Sequence, residues 1–328
     1  MQASTPKPGG GSEPALDPQA LQATVRASGL FARDRPVVAM ISGGHDSTCL
    51  LDVAVALLGA GAVLAMHVNY GLREQAGEDE SRCRELCARL GVELDVTRAE
   101  PRGEGEGNLQ AWARDLRYRR AEDLAAQRDG LYATGHTATD QVETILYRLA
   151  ASPGRRALLG MVAAEGRLIR PLLGVSREQT AAYCRARGLD FVHDESNADP
   201  RFARARVRHE LLPALRAVHP AAEANVLRTA ALLREETELF EGLVAAELDG
   251  RDHVTLARLR EMPAGLARMV LVRLAEQAAG TYVPQAGDRV EELLELDRRG
   301  GRAELHVGGR AGAVVEDGVL RMVRLPPR

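Results

Sequence analysis

The sequence predicts an α/β chain: a Rossmann-like domain on a parallel sheet, then a smaller, mainly helical domain that ends in a β-hairpin. Three observations carry this expectation. Short apolar runs at 37–41, 63–69, 92–96 and 131–134 alternate with helical periodicity, the rhythm of β-α-β units. The first run, Val37-Val38-Ala39-Met40-Ile41, breaks into a double-glycine turn and then a largely apolar helix. Beyond Pro220 that rhythm stops, long helical stretches follow, and residues 301–323 alternate like short strands with glycine turns.

Three regions follow from the pattern. Residues 1–18, rich in Pro, Gly and Ser, are expected to be a disordered tail. Residues 19–220 form the parallel-sheet domain, opened by a short helix over Gln19–Ala27. Within it, a helix from about Glu74 to Leu90 ends at Gly91 and leads into a third strand, Val92–Val96. After the glycine-rich connection Arg102–Gly107, a helix over Asn108–Arg120 puts Leu109, Trp112, Ala113 and Leu116 on one face. Arg114, Arg117 and Tyr118, at i, i+3 and i+4, share another face. The strand 131–134 runs into Gly135-His136 and a helix Asp140–Leu149, on which Asp140 and Glu143 share a face near the start. A further helix is expected near Ser176–Arg187. Residues 221–328 are expected to hold helices over Ala221–Leu248, Val254–Ala279 and Asp288–Arg298, then the hairpin. Leu227, Leu232, Leu233, Leu239 and Leu243 suggest an amphipathic stripe on the first of these helices.

Composition bounds the chemistry. With 328 residues, 45% hydrophobic and 27% charged, the chain reads as an ordinary soluble globular protein. No apolar run reaches membrane-span length and the N-terminus lacks a signal peptide's apolar region, so no membrane and a cytoplasmic location are expected. Cys49, Cys83, Cys87 and Cys184 form no Cys-x-x-Cys; Cys83 and Cys87, one helical turn apart, read as core packing before metal ligation. A net charge of −3 means that an anionic partner must be met by a local patch. The only lysine is Lys7, in the tail, so the positive charge is almost all arginine. Arginine stays protonated and grips phosphates bidentately, which argues against lysyl-adenylate and Schiff-base chemistry.

The junction after the first strand is Ser42-Gly43-Gly44-His45-Asp46-Ser47-Thr48. Glycines let the backbone approach a ligand, and the unpaired N–H groups of a helix start attract anions. The pattern is neither Gly-x-x-x-x-Gly-Lys-Ser/Thr nor Gly-x-Gly-x-x-Gly, so a Walker loop and a dinucleotide fold are disfavoured. At the end of the second strand stand His67, Asn69 and Arg73, where functional groups of parallel sheets gather. His67 reads equally as a hydrogen-bonded strand histidine. The Arg114 face reads as a solvated basic surface or a phosphate grip. Asp140 and Glu143 cap a helix start or hold a cation. Arg201, Arg204, Arg206, Arg208 and Arg216 make a local basic cluster that reads as a solvated helix start or as a contact for an RNA backbone.

Ser-Gly-Gly-x-Asp-Ser resembles the phosphate loop of the N-type ATP pyrophosphatases, the PP-loop family. Together with His67-Val68-Asn69-x-Gly71-Leu72-Arg73, Ala113-Arg114-x-x-Arg117-Tyr118 and Gly135-His136-x-x-x-Asp140-Gln141-x-Glu143-Thr144, it resembles the tRNA(Ile)-lysidine synthetases. Arg170-Pro171-Leu172-Leu173, Asp194-Glu195-Ser196-Asn197 and the stretch Arg204–Pro213 extend the resemblance over about residues 35 to 215. The chain departs at three places. Tyr70 stands where the family has a second histidine, Ala151–Arg156 replaces Arg-Gly-x-Gly, and Ala205 replaces an asparagine. The chain also resembles the family's short form, without a further C-terminal domain.

The resemblance implies ATP-dependent adenylylation of the wobble cytidine of tRNA(Ile) with a CAU anticodon. Attack by free L-lysine then releases AMP and leaves lysidine. It implies that Ser42, Gly43, Gly44, Asp46 and Ser47 bind ATP, and that Asp46 places Mg²⁺. Asp140 and Glu143 would take the lysine ammonium, Arg117, Arg204, Arg206 and Arg208 the tRNA, and residues 221–328 would form one wall of the tRNA cleft. Asp46, Arg114, His136, Asp140 and Glu143 would form the catalytic group, with a carboxylate or His136 as base for the amine. A homodimer is compatible with this reading. The alternatives are a 2-thiolation enzyme of the same family, disfavoured by the missing Cys-x-x-Cys, and a non-catalytic nucleotide-binding protein.

Overall fold

The structure, a computed structural model, describes residues 17–32, 34–71, 76–100, 109–151, 154–192, 203–296 and 301–326. Arg73, Glu74, the connection 102–107, Asn108, Ser152-Pro153, the segment 193–197, Arg201 and most of the expected tail lie outside the described residues. The chain divides into two compact units, up to Ala230 and from Ala231, a division that falls within one long helix.

The first unit follows the predicted rhythm. In order come α1 (Pro18–Ala27), β1 (Val37–Met40), α2 (His45–Leu58), β2 (Val63–Asn69), α3 (Ala76–Leu90), β3 (Glu93–Arg98), α4 (Leu109–Gln127) and β4 (Leu131–Ala133). Then follow α5 (Ala138–Ala151), α6 (Arg155–Leu158), β5 (Ala164–Glu165), β6 (Leu168–Ile169), α7 (Arg177–Ala186) and α8 (Ala203–Arg206). A π-helical turn over Val207–Leu211 and α9 (Leu212–Val218) lead into α10 (Ala222–Leu248). The sheet order is β3-β2-β1-β4-β6-β5, parallel except for the β5–β6 pair. Successive crossovers leave β1 toward opposite sides, so β1 and β4 flank a topological switch point, where ligands of open α/β sheets bind. The loops after β1 and β4 are those that carry Asp46 and His136.

Burial explains why these segments take these forms. β1 is buried along its whole length, and α2 buries Cys49, Leu50, Leu51, Val53 and Ala54 behind it. All four cysteines are free thiols in the core; burial pushes Cys83 up to about 12 and Cys87 up to about 11. Cys83 and Cys87 are buried among the apolar side chains of the first unit's core. α7 starts with a capping box between Ser176 and Gln179.

A buried polar lock ties α2 to α1 and α7. The Tyr183 hydroxyl donates to Asp52 Oδ2 at 2.6 Å, Arg187 Nε reaches the same oxygen at 3.0 Å, and Gln22 Nε2 donates to the Tyr183 oxygen at 2.9 Å. Asp52 lies on α2, seven residues into the helix that the phosphate loop opens, so this lock steadies the helix under the loop. A second buried carboxylate, Glu80 on α3, takes Arg98 Nη2 at 2.9 Å, Arg84 Nη2 at 2.9 Å and Asn69 Nδ2 at 3.0 Å.

The second unit holds the rest of α10, β7 (His253–Thr255), α11 (Leu256–Glu261), α12 (Ala264–Ala279), α13 (Val290–Leu296), β8 (Ala303–Gly308), β9 (Ala311–Glu316) and β10 (Val319–Arg324). The stretch expected to be one helix over 254–279 is a strand and two helices. Pro263 supplies no N–H and separates α11 from α12. The expected hairpin belongs to a four-stranded antiparallel sheet in the order β7-β10-β9-β8. Asp317 and Gly318, both at positive φ, form the tight turn that splits the last alternating run into β9 and β10. The core gathers Leu256, Leu259, Leu271, Leu274, Leu293 and Leu320. The leucine stripe of α10 is not the buried face: Leu232, Leu239 and Leu243 are 49%, 66% and 48% exposed, whereas Ala230, Val244 and Leu248 are buried.

Two stability predictions follow. Tyr183→Phe deprives Asp52 and Gln22 of a buried partner and is expected to lower the unfolding free energy by about 1–3 kcal/mol in urea titrations; an unchanged midpoint contradicts the lock. Hydrogen bonds from Arg98, Asn69 and Arg84 hold the Glu80 carboxyl down to about 2 against an ordinary 4.5, despite its burial. Its contribution is complete above the ordinary value and is lost as pH falls toward 2. Arg84 and Arg98 reach into solvent, so about 1–2 kcal/mol is expected rather than the full displacement. Glu80→Gln should show that deficit in denaturant titrations at pH 7, and the deficit should shrink below pH 4.

Candidate active site at the switch point

The phosphate loop begins where β1 ends. Gly43 takes φ +84°, a left-handed conformation that side-chain-bearing residues rarely adopt. Val192 N–H donates to Gly43 O at 2.9 Å and anchors the outer side of the turn. Ser42 N–H donates to Ser47 Oγ at 3.1 Å, the Ser42 and Ser47 hydroxyls lie 3.3 Å apart, and Ser47 Oγ donates to Gly44 O at 3.0 Å. The loop is therefore folded around its own hydroxyls at the start of α2, where a helix leaves N–H groups for an anion. Gly135, at the end of β4, presses on this turn. A Cβ there would lie 3.1 Å from the carbonyl carbon and oxygen of Asp46 and the amide nitrogen of Ser47.

Asp46 points along a line of alternating charges. His45 Nδ1 lies 3.0 Å from Asp46 Oδ1, and the Thr180 hydroxyl donates to the same oxygen. Arg177 Nε lies 3.3 Å from Asp46 Oδ2, and Arg177 Nη2 donates to Asp140 Oδ1 at 2.9 Å. Arg208 Nη2 reaches the same Asp140 oxygen at 3.3 Å and grips Glu143 with both Nε and Nη2, at 2.6 and 2.8 Å. Asp140 also accepts from the amide and hydroxyl of Thr137, at 2.9 and 2.8 Å, so it caps α5 as well as meeting the arginines. Burial pushes the Asp140 carboxyl up, but Arg177, the two Thr137 donors and His136 outweigh it, and the carboxyl stays below its ordinary range. Both carboxylates are thus paired with arginine.

His136 follows Gly135 and accepts or donates at Nδ1 to the Thr134 hydroxyl, 2.8 Å away. Burial pushes its imidazolium form down, Asp140 opposes this, and the positive charges of Arg170, Arg114 and Arg117 reinforce it. His136 is neutral at pH 7: it can exchange hydrogen bonds, but in this state it is a weak base. Arg114 stacks over the Tyr118 ring at 4.4 Å and Arg117 lies 5.8 Å from it, so the predicted shared face is real. Arg117 Nε and Tyr118 Oη are buried without hydrogen-bond partners among the described residues.

The predicted residues therefore divide. Asp46, Asp140, Glu143 and Arg208 meet in one chain of ion pairs, and His136 borders it through Asp140. Arg204 and Arg206 are exposed, whereas Arg208, expected beside them on an RNA-facing patch, is half-buried on the carboxylates. Arg216 pairs with Glu178 and Glu223. His67 is the hydrogen-bonded strand histidine of the two readings: it is buried, with Nδ1 3.1 Å from Ile41 O and 3.6 Å from Cys83 Sγ. Tyr70 donates its hydroxyl to Ala113 O at 2.9 Å and meets Trp112 edge-on, joining the end of β2 to α4. Arg177 and Thr180 were missed. Their signal was a basic residue directly after Ser176, where the helix was expected to begin, with a hydroxyl residue one turn on.

A magnesium ion binds through one or two carboxylates and takes further ligands from substrate phosphates. Asp46, the one carboxylate in the loop from Ser42 to Ser47, fits that incomplete donor set rather than a closed cage.

The close approach of Gly135 gives a direct test. Gly135→Ala is expected to weaken pyrophosphate binding by about tenfold in calorimetry while leaving the melting temperature within a few degrees. Unchanged binding would detach the β4 loop from the phosphate loop.

Comparison with known proteins agrees with this geometry. A model of the PP-loop domain matches residues 18–215. The tRNA(Ile)-lysidine synthase of Pseudomonas aeruginosa is 39% identical over 238 residues, 68% of this chain and 53% of its own length. That of Azoarcus sp. is 37% identical over 280 residues, 82% and 61%. That of Salinispora tropica is 41% identical over 231 residues, 66% and 68%. The chain thus spans about half to two thirds of the length of these relatives. The solved U34-tRNA thiolase NcsA from Methanococcus maripaludis shares the fold, with a TM-score of 0.55 at 15% identity over 66% of this chain and 78% of that one. The chain belongs to the PP-loop family, and within it to the group of the tRNA(Ile)-lysidine synthases.

Proposed function

We propose that the protein is a tRNA(Ile)-lysidine synthetase. In this reading ATP adenylylates O2 of the wobble cytidine in tRNA(Ile) with a CAU anticodon. Pyrophosphate leaves, and the ε-amine of free L-lysine attacks C2 and expels AMP. The observation that carries the reading is the direct line from the phosphate loop at Asp46 to two arginine-paired carboxylates, Asp140 and Glu143, at the sheet's switch point. One end suits a polyphosphate and the other an ammonium group.

The roles follow from what each group can do. The loop from Ser42 to Ser47 and the start of α2 cradle the leaving pyrophosphate. Asp46 would hold Mg²⁺ against the phosphates, and that ion would neutralise the charge that develops on the leaving group. Asp140 and Glu143 would take the lysine ammonium in the place where Arg177 and Arg208 now reach them. The Asp140 carboxyl, held below its ordinary range, is suited to binding a cation. Neutral His136, with Arg114 nearby, would orient the reacting nucleotide by hydrogen bonds. Arg117, Arg204 and Arg206 would contact the tRNA backbone, with affinity falling as salt rises. The cytidine has to leave the anticodon stack to reach these groups. The fully buried thiols and the lack of a Cys-x-x-Cys pair weigh against sulfur transfer. A reducing, cytoplasmic setting accords with free cysteines.

The test is incorporation of radiolabelled lysine into an unmodified tRNA(Ile) transcript with a CAU anticodon, with ATP and Mg²⁺. Label is expected in this tRNA and not in elongator tRNA(Met). Glu143→Gln is expected to reduce the rate by about 100-fold or more. Pyrophosphate release without lysine incorporation would move the nucleophile to another donor. Neither release nor label would overturn the reading.

A further inference from the structure

Arg177 is placed unlike any other basic residue of the site. Its side chain, about a quarter exposed, spans two helix starts: Nε is 3.3 Å from Asp46 Oδ2 at the phosphate loop and Nη2 is 2.9 Å from Asp140 Oδ1 on α5. Its own amide donates to Thr139 Oγ1 at 3.2 Å, which pins the start of α7 to α5. The Nε–H is buried and lacks a well-directed acceptor among the described residues, although it lies against Asp46. A buried donor of this kind, beside a loop built for anions, is ready to take a phosphate oxygen. Along the line Asp46–Arg177–Asp140–Arg208–Glu143, two guanidiniums serve three carboxylates, which leaves room for one further positive charge.

We propose that Arg177 is a positioning residue that couples the two halves of the site. In the free chain it neutralises Asp140. A polyphosphate at the loop draws its guanidinium from Asp140 toward the loop, and the carboxylate, left with only the longer Arg208 contact as counter-charge, then binds a primary ammonium more tightly. This rests on the amine-site reading of Asp140 and Glu143. It makes nucleotide and amine binding mutually reinforcing, by the same factor in both directions. Arg177 touches neither reacting atom. Its contribution is to keep the ammonium site closed by charge until the phosphates arrive.

L-Lysine binding to the full chain can be measured by calorimetry with and without α,β-methylene-ATP and Mg²⁺, in the wild type, R177K and R177Q. The wild type is expected to bind lysine at least about fivefold more tightly with the nucleotide than without it. In R177Q the nucleotide effect is expected to vanish, with lysine affinity in its absence rising to the nucleotide-bound wild-type level. R177K keeps the charge but not the two-way span, and its nucleotide effect should fall between the two. A merely structural arginine predicts the opposite for R177Q, weaker lysine binding with the nucleotide effect intact, and that result overturns the proposal. A wild type that binds lysine equally with and without nucleotide overturns it while leaving the amine site standing. A wild type that binds no lysine under either condition defeats the amine-site reading itself. Should R177Q melt far below the wild type, the R177K ratio decides: equality with the wild type overturns the coupling.

Discussion

The site depends on an ion-pair chain that runs from the phosphate loop to the carboxylate helix. Buried or half-buried charges are tolerable only when paired, and here each carboxylate of the chain meets at least one guanidinium. Pairing brings together parts of the chain that are far apart in sequence: Arg208 reaches Glu143 across 65 positions, and Thr180 reaches Asp46 across 134. Removing one member would leave a neighbour charged and unpartnered, so the chain is a device for holding several loops in one geometry. It also holds the Asp140 carboxyl below its ordinary range, in the ionised state a cationic substrate needs.

The sheet supplies the rigid base for that device. β1 and β4 lie side by side, and their following loops diverge at the switch point, so Asp46 and His136 come from adjacent strand ends. The turn geometry of Gly43 and the tight approach of Gly135 let these loops touch without a side chain between them. Behind the loop, the Asp52–Tyr183–Arg187 lock ties α2 to α7, the helix that also carries Arg177 and Thr180. The helix that opens the phosphate site and the helix that supplies its counter-charge are therefore held as one piece.

Much of this was legible in the sequence because it is local. The loop pattern, the Asp140/Glu143 spacing and the Arg114/Arg117/Tyr118 face are fixed by turn chemistry and helical period, and each appears where the period places it. What escaped is non-local. Nothing in the spacing of Arg208 says that it turns inward to Glu143, and nothing around Arg177 announces Asp46. Tyr70, a departure from the family pattern, has a local consequence that only packing reveals, a hydroxyl bridge to α4. In the second unit one signal was present but outweighed by a longer pattern, Pro263 within an apparent helix. The leucines of α10 show a related limit, since periodicity identifies a stripe without saying which face is covered.

The most direct test of the ion-pair account is a crystal structure of the protein with L-lysine and a non-cleavable ATP analogue. The account predicts the lysine ammonium against Asp140 and Glu143, with the Arg208 fork withdrawn from at least one Glu143 oxygen. Lysine bound elsewhere, with Arg208 still holding both oxygens of Glu143, would contradict it.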